Sequence, residues 1–158
     1  MRELQSEAIQ QKVTMQLREG IKITFIVGSI KEIQHILEHQ KIEEHSTVFW
    51  APPPPPPEIH DREFYECKYI LNIEVNDICE RIGAFAFYNC TNLESIYIGK
   101  NIKVIAVSAF EGCRNLTQIT YNGTKKQWKN IRKESDWDTN TGKYKVICTD
   151  GTLSKSGS

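Results

Sequence analysis

The chain has 158 residues and a mass of 18.2 kDa, enough for one ordinary domain or two small ones. Its apolar fraction of 39% and charged fraction of 25%, with a mean hydropathy of −0.46, exclude wholesale disorder. No apolar stretch approaches the roughly 20 residues that cross a bilayer as a helix. Twenty basic residues balance twenty acidic ones, which removes any global pull toward nucleic acid or membrane. The balance is uneven along the chain: residues 1–99 carry 9 Lys/Arg against 15 Asp/Glu, and residues 100–158 carry 11 against 5. The front is acidic and the back is basic.

The opening segment MRELQSEAIQQKVTMQLREG lacks the apolar core and small-residue cleavage site of a signal peptide, which predicts a cytoplasmic location. Ile9, Val13 and Leu17 form an i, i+4, i+8 stripe that predicts a first helix, with Gly20 as its stop. Ile21 to Val27 is rich in β-branched residues and predicts a strand. Ser29 with Glu32 forms a capping box for a second helix burying Ile30, Ile33 and Leu37. Ser46 to Trp50 predicts another short strand. This α-β-α-β order predicts a small βαβ-like unit over residues 1–50, with a right-handed crossover. Its core is thin, so it is expected to dock as a cap on the first of the repeats that begin near residue 59, or to form a homo-dimer with a second copy.

Two motifs in this unit invite chemical readings. His35, Glu38 and His39 match H-x-x-E-H, a zinc-peptidase helix motif. The two histidines would share a metal and the glutamate would act as base. No third carboxylate ligand accompanies them, and they lie opposite Ile30 and Leu37, so a solvated helix face is the reading preferred. Val27-Gly28-Ser29 ahead of a helix is a weak anion signal, since one glycine is far short of a phosphate loop.

All six prolines lie together, Pro52 to Pro57. Six in a row exclude helix and central strand and favour a polyproline II rod of roughly 18 Å. Residues 51–58 therefore read as a stiff linker, with a ligand for a proline-recognition groove as the functional alternative.

Beyond the prolines the chain repeats itself every 23 residues. Ile82, Ala86-Phe87, Cys90, Leu93, Ile96 and Ile98 recur as Ile105, Ala109-Phe110, Cys113, Leu116, Ile119 and Tyr121. One step back gives Ile59, Phe64, Cys67, Ile70, Ile73 and Val75, with Glu63 in the alanine slot. These make three units, roughly 59–81, 82–104 and 105–123, the first degraded. In each, L-x-x-I-x-I alternates as a short strand with Leu93, Ile96 and Ile98 pointing inward. Stacked units share one core and a parallel strand face. Phe64, Phe87 and Phe110 are expected in one buried column and Cys67, Cys90 and Cys113 in another. That regular spacing makes the thiols a structural ladder rather than a metal site. An odd count of five cysteines fits reduced thiols.

The pattern I-x-x-x-A-F-x-x-C-x-x-L-x-x-I-x-I resembles the BspA-type leucine-rich repeat, over roughly residues 59–151. The run ITYNGTKKQWKNI…SDWDTNTGKYKVICTDG is similar to the segment that closes such arrays. The resemblance implies a curved leucine-rich-repeat solenoid whose activity is binding, often to proteins or cell surfaces. The overall class expected is α+β, a small α/β unit followed by a short capped solenoid spanning 59–151.

Within the closing segment, Thr124 with Gln127 is a capping box for a short helix through about Ile131, whose Trp128 and Ile131 would plug the stack. Tyr144, Val146 and Cys148 alternate as a last strand, ended by Asp150-Gly151. Residues 152–158 read as a flexible tail. Lys125, Lys126, Lys129, Arg132 and Lys133 cluster near Trp128, where a solvated face is preferred to an acidic partner or nucleic acid.

Between the inward strand positions, register sets two outward columns: Asn72, Ser95 and Gln118, then Glu74, Tyr97 and Thr120. These six are the expected partner-binding residues, with Tyr97 as the anchor, since an exposed aromatic gives large contact area and a polar tip. No serine, cysteine or acid pair has a base partner, so no catalysis, metal or cofactor is expected. The reading is a non-enzymatic protein-binding module, a small intracellular inhibitor or adaptor, one form being a bacterial or mobile-element inhibitor of host machinery. The alternatives are a diverged surface adhesin fragment and a zinc-dependent hydrolase at His35, Glu38 and His39.

Overall fold

A computed structural model of the chain describes residues 11–27 and 57–155. Each 23-residue unit forms one coil of a β-solenoid, entering through a two-residue strand and leaving through a longer one. The short strands β3 (Glu58–Ile59), β5 (Arg81–Ile82), β7 (Val104–Ile105) and β9 (Arg132–Lys133) make a parallel sheet in that order. The longer strands β4 (Ile70–Val75), β6 (Ser95–Ile98), β8 (Gln118–Tyr121) and β10 (Lys145–Cys148) pair in parallel within a second sheet.

Between the two sheets each coil turns sharply, and it does so by the same device. Arg62, Phe85, Ser108 and Asp136 have φ of 58°, 56°, 54° and 59°, and Glu66, Asn89, Gly112 and Asn140, four residues on, have 57°, 55°, 83° and 58°. A left-handed backbone costs an ordinary residue about 1–2 kcal/mol. The cost is offset by backbone hydrogen bonds between coils. Arg62, Phe64 and Glu66 donate to the carbonyls of Ala84, Ala86 and Tyr88 at 2.8, 2.8 and 2.7 Å. Phe85, Phe87 and Asn89 do the same to Val107, Ala109 and Glu111, as do Ser108, Phe110 and Gly112 to Ser135, Trp137 and Thr139. The turns are thereby paired almost as strands are, which gives their backbone amides and carbonyls partners inside the fold.

Locked register brings like residues together. Phe64 stacks on Phe87 at 5.4 Å between centroids, and Phe87 on Phe110 at 5.2 Å, with rings within 9° of parallel. Leu93, Ile96, Ile98, Leu116 and Ile119 are all buried, as the alternation predicts. The thiols of Cys90 and Cys113 donate to the carbonyls of Phe64 and Phe87, both at 3.1 Å. Burial drives both thiols upward in pKa, Cys113 to about 12. Cys67, at the degraded end, is only half-buried.

The segment read as a cap contains a fourth coil. Helix α1 (Lys125–Asn130) intervenes before it, opened by the capping box: Gln127 N donates to Thr124 Oγ1 and Thr124 N to Gln127 Oε1. The insert lengthens the spacing, so that Trp137 takes the place after Phe110 and Val146 the place beside Ile119. Trp137 meets Phe110 edge-on at 6.4 Å and gathers Trp128 and Tyr144 around it, which closes that end of the core. Lys133 stands in register with Ile105. Its ammonium donates to the carbonyls of Trp128 and Ile131 at 2.5 and 3.3 Å and lies 4.6 Å from the centroid of the Trp128 ring. Burial brings its pKa down to about 8.

Two expectations are corrected here. Residues 11–27 are not the start of a βαβ unit: β1 (Gln11–Arg18) and β2 (Ile21–Val27) form an antiparallel hairpin, and β2 pairs antiparallel with β4. The Ile9, Val13, Leu17 spacing of four satisfies a period of 2 as well as one of 3.6. The finer alternation, Val13, Met15 and Leu17 against the core with Lys12, Thr14 and Gln16 outside, is that of a strand. Gly20, with φ of 87°, serves the two-residue hairpin turn rather than a helix end. The expected second helix and the strand at 46–50 lie outside the described residues, as do the H-x-x-E-H motif and Pro52–Pro56. The tail expected from residue 152 is also revised. Gly151–Ser154 is β11, folded back antiparallel on β10, because Thr149-Asp150 closes a hairpin as readily as it ends a strand and so covers the edge of β10.

The hairpin explains the degraded first unit. Its alanine slot is fully buried at Ala86 and Ala109, but coil 1 holds Glu63 there. Arg18 at the end of β1 reaches it through two bonds of 2.6 and 2.7 Å and donates to the Glu58 carbonyl at 2.7 Å. The Glu63 side chain is 6% exposed. Burial alone would raise its carboxyl, but Arg18 and the His60 amide outweigh burial and hold it below the ordinary value of 4.5.

Removing the guanidinium leaves that carboxylate buried, so Arg18→Ala is expected to lower unfolding free energy by about 3 kcal/mol in urea titration. A depressed folded pKa contributes stability above pH 4.5 that is lost as pH falls through the folded value. Glu63→Gln therefore flattens the acid side of the stability profile. Part of the slope remains, because Asp61 and Asp77 are also lowered, chiefly by the backbone amides of Ala84 and Lys100. A second test uses the thiols: in the folded chain Cys90 and Cys113 resist maleimide at pH 8 while Cys67 reacts first, and all five react in denaturant.

Candidate functional site

The seven-stranded sheet, ordered β1-β2-β4-β6-β8-β10-β11, has more strands than the four-stranded one, and its outward side is the wider sheet face. Because side chains alternate along each strand, inward positions fill the core and the intervening ones stand outside in rows. All six residues expected there lie on this face. Asn72, Ser95 and Gln118 pair in register as one row, and Glu74, Tyr97 and Thr120 as a second.

Sequence reasoning missed how far these rows run. On one side the first row continues through Thr24 to Thr14, and the second through Lys22 to Gln16. On the other side the first continues through Lys145 to Ser154, and the second through Ile147 to Thr152. The period-2 alternation in KVTMQ and IKITF carried that signal for the hairpin. The 23-residue spacing could not reveal the far side, since α1 breaks it.

The central part forms a shallow groove of about 350 Å3, lined by Thr24, Asn72, Ser95 and Gln118 and flanked by Lys22, Glu74 and Tyr97. Its polar groups satisfy one another. Ser95 Oγ donates to Asn72 Oδ1 at 2.5 Å, Gln118 Nε2 to Thr120 Oγ1 at 3.0 Å, and the hydroxyls of Thr14 and Thr24 lie 2.7 Å apart. Lys22 Nζ is 3.5 Å from Glu74 Oε1, both about half exposed, a pair of little energetic weight. The groove thus offers a pre-ordered, nearly neutral surface with one half-buried aromatic, Tyr97. It carries no nucleophile–base pair.

The basic cluster expected near Trp128 does not form one patch. Lys133 turns inward to the α1 carbonyls, and Arg132 pairs with Glu134 at 3.1 Å. Lys126 and Lys129 are exposed on α1. Among the described residues no helix is long and apolar enough to cross a membrane.

Comparisons with known proteins give three findings. A family model described as "BspA type Leucine rich repeat region (6 copies)" matches residues 57–135. The crystal structure of a leucine rich cell surface protein from Faecalibacterium prausnitzii A2-165 is similar at a TM-score of 0.32 and 16% identity, over 88% of this chain. The matched region is 51% of that protein's chain. No curated protein matches significantly. The family match spans half of the chain and covers coils 1 to 3, where the A-F-x-x-C and L-x-x-I-x-I residues build the stacked core. The chain belongs to the BspA-type leucine-rich-repeat family.

Proposed function

We propose that this chain is a non-enzymatic protein-binding module and that the strand face receives the partner. The observation that carries this reading is the register: two outward rows cross all seven strands, on a sheet whose backbone is held by its neighbours. Solenoids present such extended faces as binding surfaces. A rigid, pre-paired surface loses little entropy on association, so its contacts count more fully toward affinity. Tyr97 sits at the centre of the second row, on the fourth of the seven strands and flanked by Glu74 and Thr120. Aromatic anchors in that central position commonly dominate binding energy.

In its finer form the reading is a small intracellular inhibitor or adaptor that blocks or bridges another protein. Affinity capture with the full chain from its native cells, followed by titration of the recovered protein, tests it. Tyr97→Ala is expected to weaken binding about 30-fold, the equivalent of about 2 kcal/mol. The same substitution changes folding stability by less than about 0.5 kcal/mol, since Tyr97 lies outside the core. Unchanged affinity in a folded Tyr97→Ala variant rejects the strand-face assignment. An extracellular ligand in place of an intracellular protein rejects the inhibitor form and favours an adhesin.

A further inference from the structure

The turn side of the solenoid, away from the strand face, carries a second ladder. Tyr65 and Tyr88 occupy equivalent places in coils 1 and 2, and their rings stack at 5.0 Å and 8°. Arg62 lies 5.5 Å from the centroid of Tyr65 and 5.2 Å from that of Phe85, and Phe85 packs on Tyr88 at 5.6 Å. The ladder is exposed: Tyr65 is 41% accessible. In coil 3 the equivalent residue is Glu111, followed by Gly112. The column of rings therefore stops after two rungs. Tyr65 covers one face of Tyr88, and the other face looks along the stack toward coil 3.

Beyond that face lies an open notch of about 460 Å3, with Tyr88 as one wall and Gly112 in its lining. Gly112 is needed at this place: a Cβ would stand 1.9 Å from Asn89 Oδ1, and φ is 83°. The missing side chain lets the Asn89 amide lie over coil 3. Glu111, Arg114, Asn140 and Thr141 complete the rim, and of these the Thr141 hydroxyl is already taken, donating to the Asp138 carbonyl and accepting from Lys155 Nζ. Among the described residues, no hydrogen bond, ion pair or ring contact engages the side chains of Asn89, Glu111, Arg114 or Asn140. The strand-face groove is the opposite case, because its hydroxyls and amides are already paired with one another.

We propose that this notch is a carbohydrate-binding site, in which a pyranose ring takes the third rung of the tyrosine column. The apolar C–H face of a sugar ring suits the negative face of Tyr88, which Tyr65 supports from behind. Its hydroxyls each donate and accept, and the rim supplies both functions. The Glu111 carboxylate accepts, the Arg114 guanidinium donates, and the amides of Asn89 and Asn140 do either. A hydroxyl-rich ring satisfies this dense polar rim, whereas a purely apolar ring would desolvate it without return. The volume lies in the range of small-ligand pockets. The site is independent of the strand face.

Saturation-transfer NMR on the full chain tests this, with methyl glycosides of glucose, galactose, mannose and N-acetylglucosamine at about 10 mM, suited to a dissociation constant on the order of 1 mM. At least one is expected to receive saturation at its ring C–H protons. Glu111→Tyr supplies the third ring from the protein itself and fills the notch without removing core, and is expected to weaken binding at least 10-fold. Tyr88→Ala is expected to do the same, with folding of both variants checked by circular dichroism and urea titration. Absence of transfer to all four sugars overturns the proposal. Transfer that persists unchanged in folded Glu111→Tyr places the sugar elsewhere and also overturns it.

Discussion

The backbone ladder between successive turns is the constraint on which the rest of this molecule depends. Three amides of each of the first three turns donate to three carbonyls of the next coil, and this is possible only if every coil holds left-handed residues at the same two positions. Any change of length within a turn would move these donors off their acceptors. Constant length in turn forces equivalent residues into columns at the spacing of neighbouring strands. The parallel phenylalanine rings, the thiols bonded to the preceding phenylalanine carbonyl, and the outward rows all result from that one register. The core is narrow, yet it is continuous from coil to coil, which is how a short repeat buries apolar surface that a single unit could not.

A solenoid must also end, and both ends depart from the repeat for physical reasons. Among the described residues no preceding coil covers the alanine slot of the first one, so a carboxylate can occupy it if a cation arrives from outside. The β1–β2 hairpin brings Arg18 to Glu63 and extends the sheet antiparallel, where a further coil would have continued it in parallel. At the fourth coil the rings change from parallel stacking to edge-on packing around Trp137. Lys133 replaces the isoleucine of the short-strand column and ties the end of α1 to the core. Neither end could repeat the interior unit and still present a finished surface to water.

The two candidate surfaces differ in how their polar groups are disposed. On the strand face, regular spacing lets neighbours pair with one another, which yields an ordered and nearly neutral plane suited to a broad partner. On the turn side, Glu111 in place of a third tyrosine interrupts a column and leaves polar groups around an aromatic wall without partners among the described residues. A single coil thus departs from the repeat where the interior core does not require it to conform.

Much of this was legible in the residues themselves. The 23-residue recurrence, the inward alternation of Leu93, Ile96 and Ile98, and the Thr124–Gln127 capping box each arise from local chemistry and periodicity, and the columns Asn72–Ser95–Gln118 and Glu74–Tyr97–Thr120 come from repeat arithmetic. Sequence alone could not place segments 11–27 and 132–154, because their conformation is decided by what they pair with. Val13 and Leu17 suit a helix face as well as a strand, and the open edge of β4 selects the strand. The fourth coil is hidden because α1 lengthens the spacing, and only the stacking of Trp137 on Phe110 restores it. Glu63 read as a lapse in the repeat until Arg18, distant in the chain, stood beside it. Local pattern determined the unit and its register; tertiary pairing decided how the first coil is covered, how the last one closes and which polar groups keep no partner among the described residues.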